Sequence, residues 1–161
     1  MPSRKYMDGN RIWLNECSKI DFFPKIMKYP EGTKTSQDAA KQLGCDVSNI
    51  AKSIVFRGEE YAIVVITSGS NKVDRKGKLK RLVGYKPSMA DSDYVLNNTG
   101  YNVGGVPPFG HLKQTTIYLD EDLLNYDMVW GAAGTSDTVF PIKPKKLLDL
   151  SGAKVVDVKQ Q

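Results

Sequence analysis

Histidine and cysteine are nearly missing from this chain: one His and two Cys among 161 residues. Two scattered cysteines, Cys17 and Cys45, cannot staple a disulfide scaffold, and neither stands at metal-ligand spacing, so a structural zinc site is not expected. A Cys–His nucleophilic pair stays open, because neighbours in space need not be neighbours in sequence. No apolar run approaches the ~20 residues of a membrane span. The opening MPSRKYMDGNR lacks the apolar core of a signal peptide, so the expected compartment is the cytosol. Repeats, low-complexity runs and linkers are also missing, which leaves one expected domain, 1–161, long enough to bury a substantial core. A strong charge bias is absent too. The 23 Lys+Arg and 18 Asp+Glu give +5, compatible with contact to phosphates but far from a basic tail.

What the chain does have is an unusual octapeptide, Gly104-Gly105-Val106-Pro107-Pro108-Phe109-Gly110-His111. Three glycines and two prolines in eight residues exclude a regular helix. Pro fixes its own φ and lacks a donor, while Gly allows positive φ and close backbone approach. A stiff loop should result, with backbone N–H groups able to meet an oxyanion or a phosphate. It ends in the single histidine. A plain structural turn before the following strand fits the same residues.

Around this loop the pattern alternates. Ile12 to Ile20 recur at helical spacing, and Ile20 to Pro30 reads as an edge strand entering a turn, with Pro24 limiting it to an edge. Thr35 to Gly44 has the marks of a helix: Thr35 or Ser36 as cap, Asp38 in the first turn, Gly44 as stop. A short helical turn from Asp46 to Ala51 follows. Lys52–Arg57 and Tyr61–Thr67 are β-branched strands around a hairpin loop. A basic helix, Arg75 to Val83, and a short helix, Met89 to Asn97, precede the glycine loop. After it come strands at Thr115–Leu119, Met128–Gly131, Thr138–Ile142 and Ala153–Val158. An acidic turn (Asp120–Asn125) and a helix opened by Pro144 (Lys143–Leu150) separate them. Hairpins outnumber strand–helix–strand crossovers, which predicts an α+β domain with a mixed, largely antiparallel sheet and helices around it.

The GGVPPFGH loop resembles the signature loop of the YbaK/aminoacyl-tRNA deacylase family, which includes the editing domain inserted in bacterial-type prolyl-tRNA synthetases. TSQDAAKQLG, IAKSIVFR, ITSGSNKVDRKGKLKRLVG and GAAGTSDTVF resemble further family stretches in the same order, from about Thr35 to Leu150. The resemblance implies a curved mixed sheet or partly closed barrel, YbaK-like, and hydrolysis of the ester in mischarged tRNA without metal or organic cofactor. It places Lys52 at the family's functional lysine. An ammonium at a strand end can hold a phosphate or polarise an ester carbonyl; a surface lysine is the plain alternative. Gly105 and Gly110 would put loop amides around the carbonyl, with Gly104, Pro107 and Pro108 shaping the loop. His111 reads equally as a general base, a ligand for the terminal adenosine, or a structural residue. Gly134, Thr135 and Ser136 match a second glycine loop, facing ribose or phosphate, or else forming an ordinary hairpin loop.

Other candidates stay ambiguous. Asp74 would orient a substrate group or cap a helix. The basic helix would touch tRNA phosphates or simply face solvent. Tyr85 and Trp130 would stack on a base or pack in the core. The expectation is a trans-editing aminoacyl-tRNA deacylase. Its partners would be the aminoacyl-tRNA acceptor end, with tRNA for proline carrying alanine or cysteine as substrate, and prolyl-tRNA synthetase. No membrane partner is expected. A non-catalytic adaptor of the same fold is the alternative, which an acidic residue at position 52 would have favoured. An unrelated phosphate-binding protein fits the loops but lacks a P-loop fingerprint.

Overall fold

The two β-branched runs in the middle of the chain set the architecture. In the computed structural model, which describes residues 8–29 and 35–161, they form β2 (Ile50–Arg57) and β3 (Ala62–Ser68). These pair antiparallel with Lys52 opposite Thr67 and Phe56 opposite Ile63. Every residue of β3 is buried, the signature of a central strand covered on both faces.

Around this hairpin the described strands build one eight-stranded mixed sheet. Along it run β1 (Met27–Lys28), β7 (Thr138–Ile142), β6 (Val129–Ala132), β2, β3, β5 (Thr115–Asp120) and β8 (Lys154–Val156). The short β4 (Ser88–Met89) sits on β2, off that path. The β1–β7, β6–β7, β2–β3 and β2–β4 pairs are antiparallel; β2–β6, β3–β5 and β5–β8 are parallel. The sheet is mixed and open, with more parallel character than hairpin counting suggests.

Among the described residues five helices flank it: α1 (Gly9–Ser18), α2 (Ser36–Leu43), α3 (Lys80–Val83), α4 (Ser92–Thr99) and α5 (Pro144–Ser151). The largest core cluster holds Trp13 from α1, Val95 from α4, Leu147 from α5 and the aromatic rings Phe109 and Phe140. Trp13 and Phe140 lie 4.4 Å apart between ring centroids, tilted by 44°, an arrangement aromatic quadrupoles favour. A second cluster, with Phe56, Val65 and Leu79, packs under the basic helix, and a third seats Ala39 and Ala40 of α2 against Ile50.

Helix α2 follows its sequence signals closely. Thr35 Oγ1 accepts the Asp38 N–H at 3.0 Å, the Asp38 carboxylate accepts the Thr35 N–H, and Gly44 stops the helix at φ 70°.

Several expected boundaries move. The strand expected over Ile20–Pro30 shrinks to Met27–Lys28, since Pro24 offers no donor for a ladder; its end at Pro30 lies outside the described residues, as do the first seven residues. The turn after α2 is a single 3-10 turn, Val47–Asn49, and Ile50 already belongs to β2. Met89 pairs with Phe56 rather than opening a helix. Helix α4 begins after Asp91, whose carboxylate accepts the Tyr94 N–H at 2.8 Å. The basic helix opens as a wide π turn, Arg75–Leu79, before tightening into α3.

Candidate active site

The parallel and antiparallel neighbours of β2 leave a gap between them. On one side β3 covers the strand from Ala51 to Phe56. On the other, β6 reaches only Ile50 and Ala51, and β4 only Phe56 and Arg57. The Gly69 N–H donates to the Ile50 carbonyl at 2.7 Å, which fixes the alternation of the hairpin. Ile50, Lys52 and Ile54 turn their backbone groups toward β3, while Ala51, Ser53 and Val55 turn theirs away. The Ser53 N–H and C=O therefore point at the gap, with no strand opposite among the described residues. A cavity of about 400 Å³ fills this opening, within the range of about 300–1,000 Å³ typical of ligand sites. Its walls come from β2, α2, the glycine loop, and β6 and β7 with the loop between them.

Lys52 lines this cavity, half-buried at the open stretch of β2. Burial pushes its ammonium below the ordinary lysine value, and the like charge of Lys72 adds to the effect. Among the described residues no carboxylate forms an ion pair with it. The result is a destabilised cation with an incentive to find an anionic or strongly polarised oxygen.

Two glycine loops contribute further lining. In the first, Gly104 borders the cavity at φ 89°, a conformation L side chains rarely adopt. Gly105 is buried behind it, against the backbone of Thr135. Its amide is not available to a ligand: the Gly105 N–H donates to the Asn102 carbonyl at 3.0 Å. This corrects the expectation that this amide faces an ester oxygen, because the turn itself uses the donor.

Gly110 lies deeper, at φ 83° beside Trp13, and its carbonyl accepts the Tyr101 hydroxyl at 2.7 Å. The indole N–H of Trp13 donates to the Phe109 carbonyl at 3.0 Å. Pro107 and Pro108 are buried. These residues frame the loop rather than line the cavity.

His111 closes the frame. Its Nε2 lies 2.8 Å from the Pro107 carbonyl and its Nδ1 2.7 Å from the Thr115 hydroxyl. A carbonyl only accepts, so Nε2 carries the proton and Nδ1 of the neutral ring accepts from Thr115. Burial holds the ring below the usual histidine value, against the opposing pull of the Pro107 carbonyl. With both nitrogens engaged inside the loop, His111 staples its two ends together.

The second loop, around Gly134 at φ 103°, is pinned from α1. Asn10 Nδ2 donates to the Ala133 carbonyl at 2.7 Å and to the Thr138 hydroxyl at 2.8 Å. The Thr138 hydroxyl lies 2.6 Å from that of Thr135, which donates to the Asp137 carboxylate at 2.7 Å. That bond holds the Asp137 carboxyl below the ordinary carboxylate value. Gly134 backs onto the Gly9 carbonyl. Ser136 alone of Gly134, Thr135 and Ser136 borders the cavity.

The structure thus brings Lys52, Gly104 and Ser136 to one cavity, with Gly105 and Thr135 interlocked just behind its wall. Asp74 lies apart from it: its carboxylate accepts the Lys78 N–H at 3.1 Å, as a cap of the basic helix. Tyr85 is also remote, its hydroxyl accepting the Glu59 N–H at 2.9 Å. Trp130 lines the cavity, half-buried beside α2. Cys17 is buried, its thiol pushed up to about 12 chiefly by burial, so it is no nucleophile. Among the described residues no group of three or more His, Cys, Asp or Glu could hold a metal ion, and no helix is long and apolar enough to cross a membrane.

Sequence reading missed two residues. Asn10 clamps a loop more than 120 positions away, and nothing local announces that. Ser53 was legible: it is a lone hydroxyl between Ala51 and Val55 on the core-facing register of β2.

Comparison with known proteins gives the family to which this fold and cavity belong. Residues 30–150 match the family described as aminoacyl-tRNA editing domain, and the chain belongs to that family. A solved structure described as a proposed trans-editing enzyme for prolyl tRNA synthetase is 40% identical. The match covers 96% of this chain and 99% of that one, with a TM-score of 0.91. The uncharacterized protein YwhH of Bacillus subtilis is 35% identical over 83% of this chain and 85% of its own length. EbsC of Enterococcus faecalis, described as a proposed Cys-tRNA(Pro)/Cys-tRNA(Cys) deacylase, is 24% identical over 92% of both chains.

Proposed function

We propose that this chain acts in trans as an aminoacyl-tRNA deacylase, hydrolysing the ester between a wrong amino acid and the terminal ribose of tRNA. Its substrate is tRNA for proline carrying a small residue such as alanine or cysteine, met in the cytoplasm beside prolyl-tRNA synthetase. The observation that carries this reading is the placement of Lys52 at the open stretch of β2, on the same cavity as Gly104 and Ser136.

The aminoacyl ester is already activated, so the site needs three things: a held acceptor end, a stabilised oxyanion and a placed water. Lys52 supplies positive charge where the terminal phosphate or the developing oxyanion arrives. The Ser53 N–H, turned into the gap, is the backbone donor best placed to share that oxyanion. Water adds to the carbonyl carbon, the tetrahedral intermediate collapses, and the ribose oxygen leaves with a proton. Editing of small side chains is needed because a synthetic site for proline cannot reject them by fit alone. Similarity to a solved structure described as a trans-editing candidate supports action in trans.

Purified protein is given Ala-, Cys-, Ser- and Pro-tRNA for proline, beside its Lys52→Ala variant. Lys52-dependent release from mischarged but not from correctly charged tRNA upholds the reading. Folded protein that binds tRNA and releases nothing is an adaptor instead.

A further inference from the structure

One polar atom in the site is unaccounted for. Ser53 Oγ is the single buried side-chain nitrogen or oxygen, among the described residues, without a hydrogen-bond partner, and Ser53 lines the cavity. Two other cavity hydroxyls are engaged: Thr35 Oγ1 accepts from Asp38, and Thr138 Oγ1 is held between Asn10 and Thr135. Ser53 shares its face of β2 with Ala51 and Val55, both buried in the main core. This is the apolar floor of the cavity, opposite in register to Lys52. A folded chain keeps such an orphan at a cost in stability, and an apolar residue of the same size would remove that cost.

Resting on the deacylase reading, we infer that Ser53 is a specificity-determining residue that selects acyl groups whose small side chain ends in a hydroxyl or thiol. Serine and cysteine are thereby preferred to alanine. Oγ is covered in the unliganded chain, and meeting a ligand takes a change of χ1 between staggered wells. There it pairs with the Oγ or Sγ of the substrate. A methyl side chain fills the same space and leaves the serine hydroxyl unpaired. A buried hydroxyl built to meet a polar partner discriminates by more than shape does, because the wrong ligand strands it.

The test compares kcat/KM for Ser-, Cys- and Ala-tRNA for proline, wild type against Ser53→Ala. The expected wild-type preference for the Ser and Cys esters over Ala is about tenfold or more. Ser53→Ala should shift the Ser/Ala ratio toward alanine by a similar factor. Its melting temperature should equal or exceed that of the wild type, since an unpaired hydroxyl is gone. An alanine ester cleaved as well as the serine ester by wild type overturns the inference. So does a variant that slows all three esters equally.

A parallel measurement separates this from the deacylase reading. Seryl and alanyl groups joined by an amide to 3′-amino-3′-deoxyadenosine are titrated calorimetrically. Tighter, Ser53-dependent binding of the seryl amide with no ester cleaved would sink the deacylase reading and keep the polar pocket. Equal binding of the two amides sinks the pocket.

Discussion

A Cβ atom on Gly105 would stand 2.8 Å from both the Cα and the carbonyl carbon of Thr135. The two glycine loops meet here through bare backbone, and no side chain fits between them. Gly105→Val therefore forces the loops apart. Overpacking of this kind costs about 1–3 kcal/mol, so the variant should melt lower and lose deacylation nearly completely. A Gly105→Val protein with wild-type turnover would show that the interlock does not set the site's geometry.

Lys52→Ala tests charge rather than shape. The side chain is half-buried and makes no ion pair among the described residues, so the melting temperature should move by only a few degrees while deacylation collapses. Near-normal turnover would remove Lys52 from the chemistry.

Lys72 offers a finer probe of the same ammonium. Its charge helps depress Lys52, so Lys72→Ala should raise the Lys52 pKa. If the protonated form is the active one, the alkaline limb of the pH–rate profile moves to higher pH in this variant. A limb that stays in place would mean that another group titrates there.

His111 gives the fold a pH dependence of defined sign. Its folded pKa lies below the unfolded value of 6.5, so the unfolded chain binds the proton more readily. The stability from the neutral ring is complete above pH 6.5 and is lost as pH falls through the folded pKa. The depressed Asp122 and Asp137 carboxyls act only below their unfolded value of 3.8. Thermal melts should therefore decline from pH 7.5 toward 5 in the wild type, and His111→Gln should flatten that slope. A flat wild-type profile would contradict the buried neutral ring.

Asn10→Ala removes the donors from the Ala133 carbonyl and the Thr138 hydroxyl. A stranded buried acceptor costs about 1–3 kcal/mol, which a denaturant midpoint would register. Activity should fall with it, since Ser136 borders the cavity from the loop Asn10 holds. Unchanged stability would mean that water replaces the clamp.

Where signals were local, the sequence was readable. Thr35, Asp38 and Gly44 define α2 because caps and αL stops act within one turn, and the β2–β3 hairpin follows from two β-branched runs and a short loop. The glycine–proline loop stood out because its backbone demands are written in residue type. The parallel pairing of β3 with β5 did not, since register between distant strands depends on what lies between them. The gap between β6 and β4, which makes the cavity, is the product of two such pairings. For the same reason Gly105 could be located in the site but not its amide's partner, Asn102. The roles of His111 and Asp74 were left open by sequence because a hydrogen-bond frame and a ligand contact draw on the same residue types.

Helix α1 reaches both loops at once: Asn10 and Gly9 hold the second, Trp13 the first. Neither loop can then loosen alone. Amides around 104–110 and 133–136 should exchange with deuterium at rates reporting a single opening free energy, shared with the α1 amides, while the β2–β3 ladder opens only on global unfolding. The helix, which lies outside the matched stretch 30–150, works as a latch, and its grip sets how long the pocket keeps its shape.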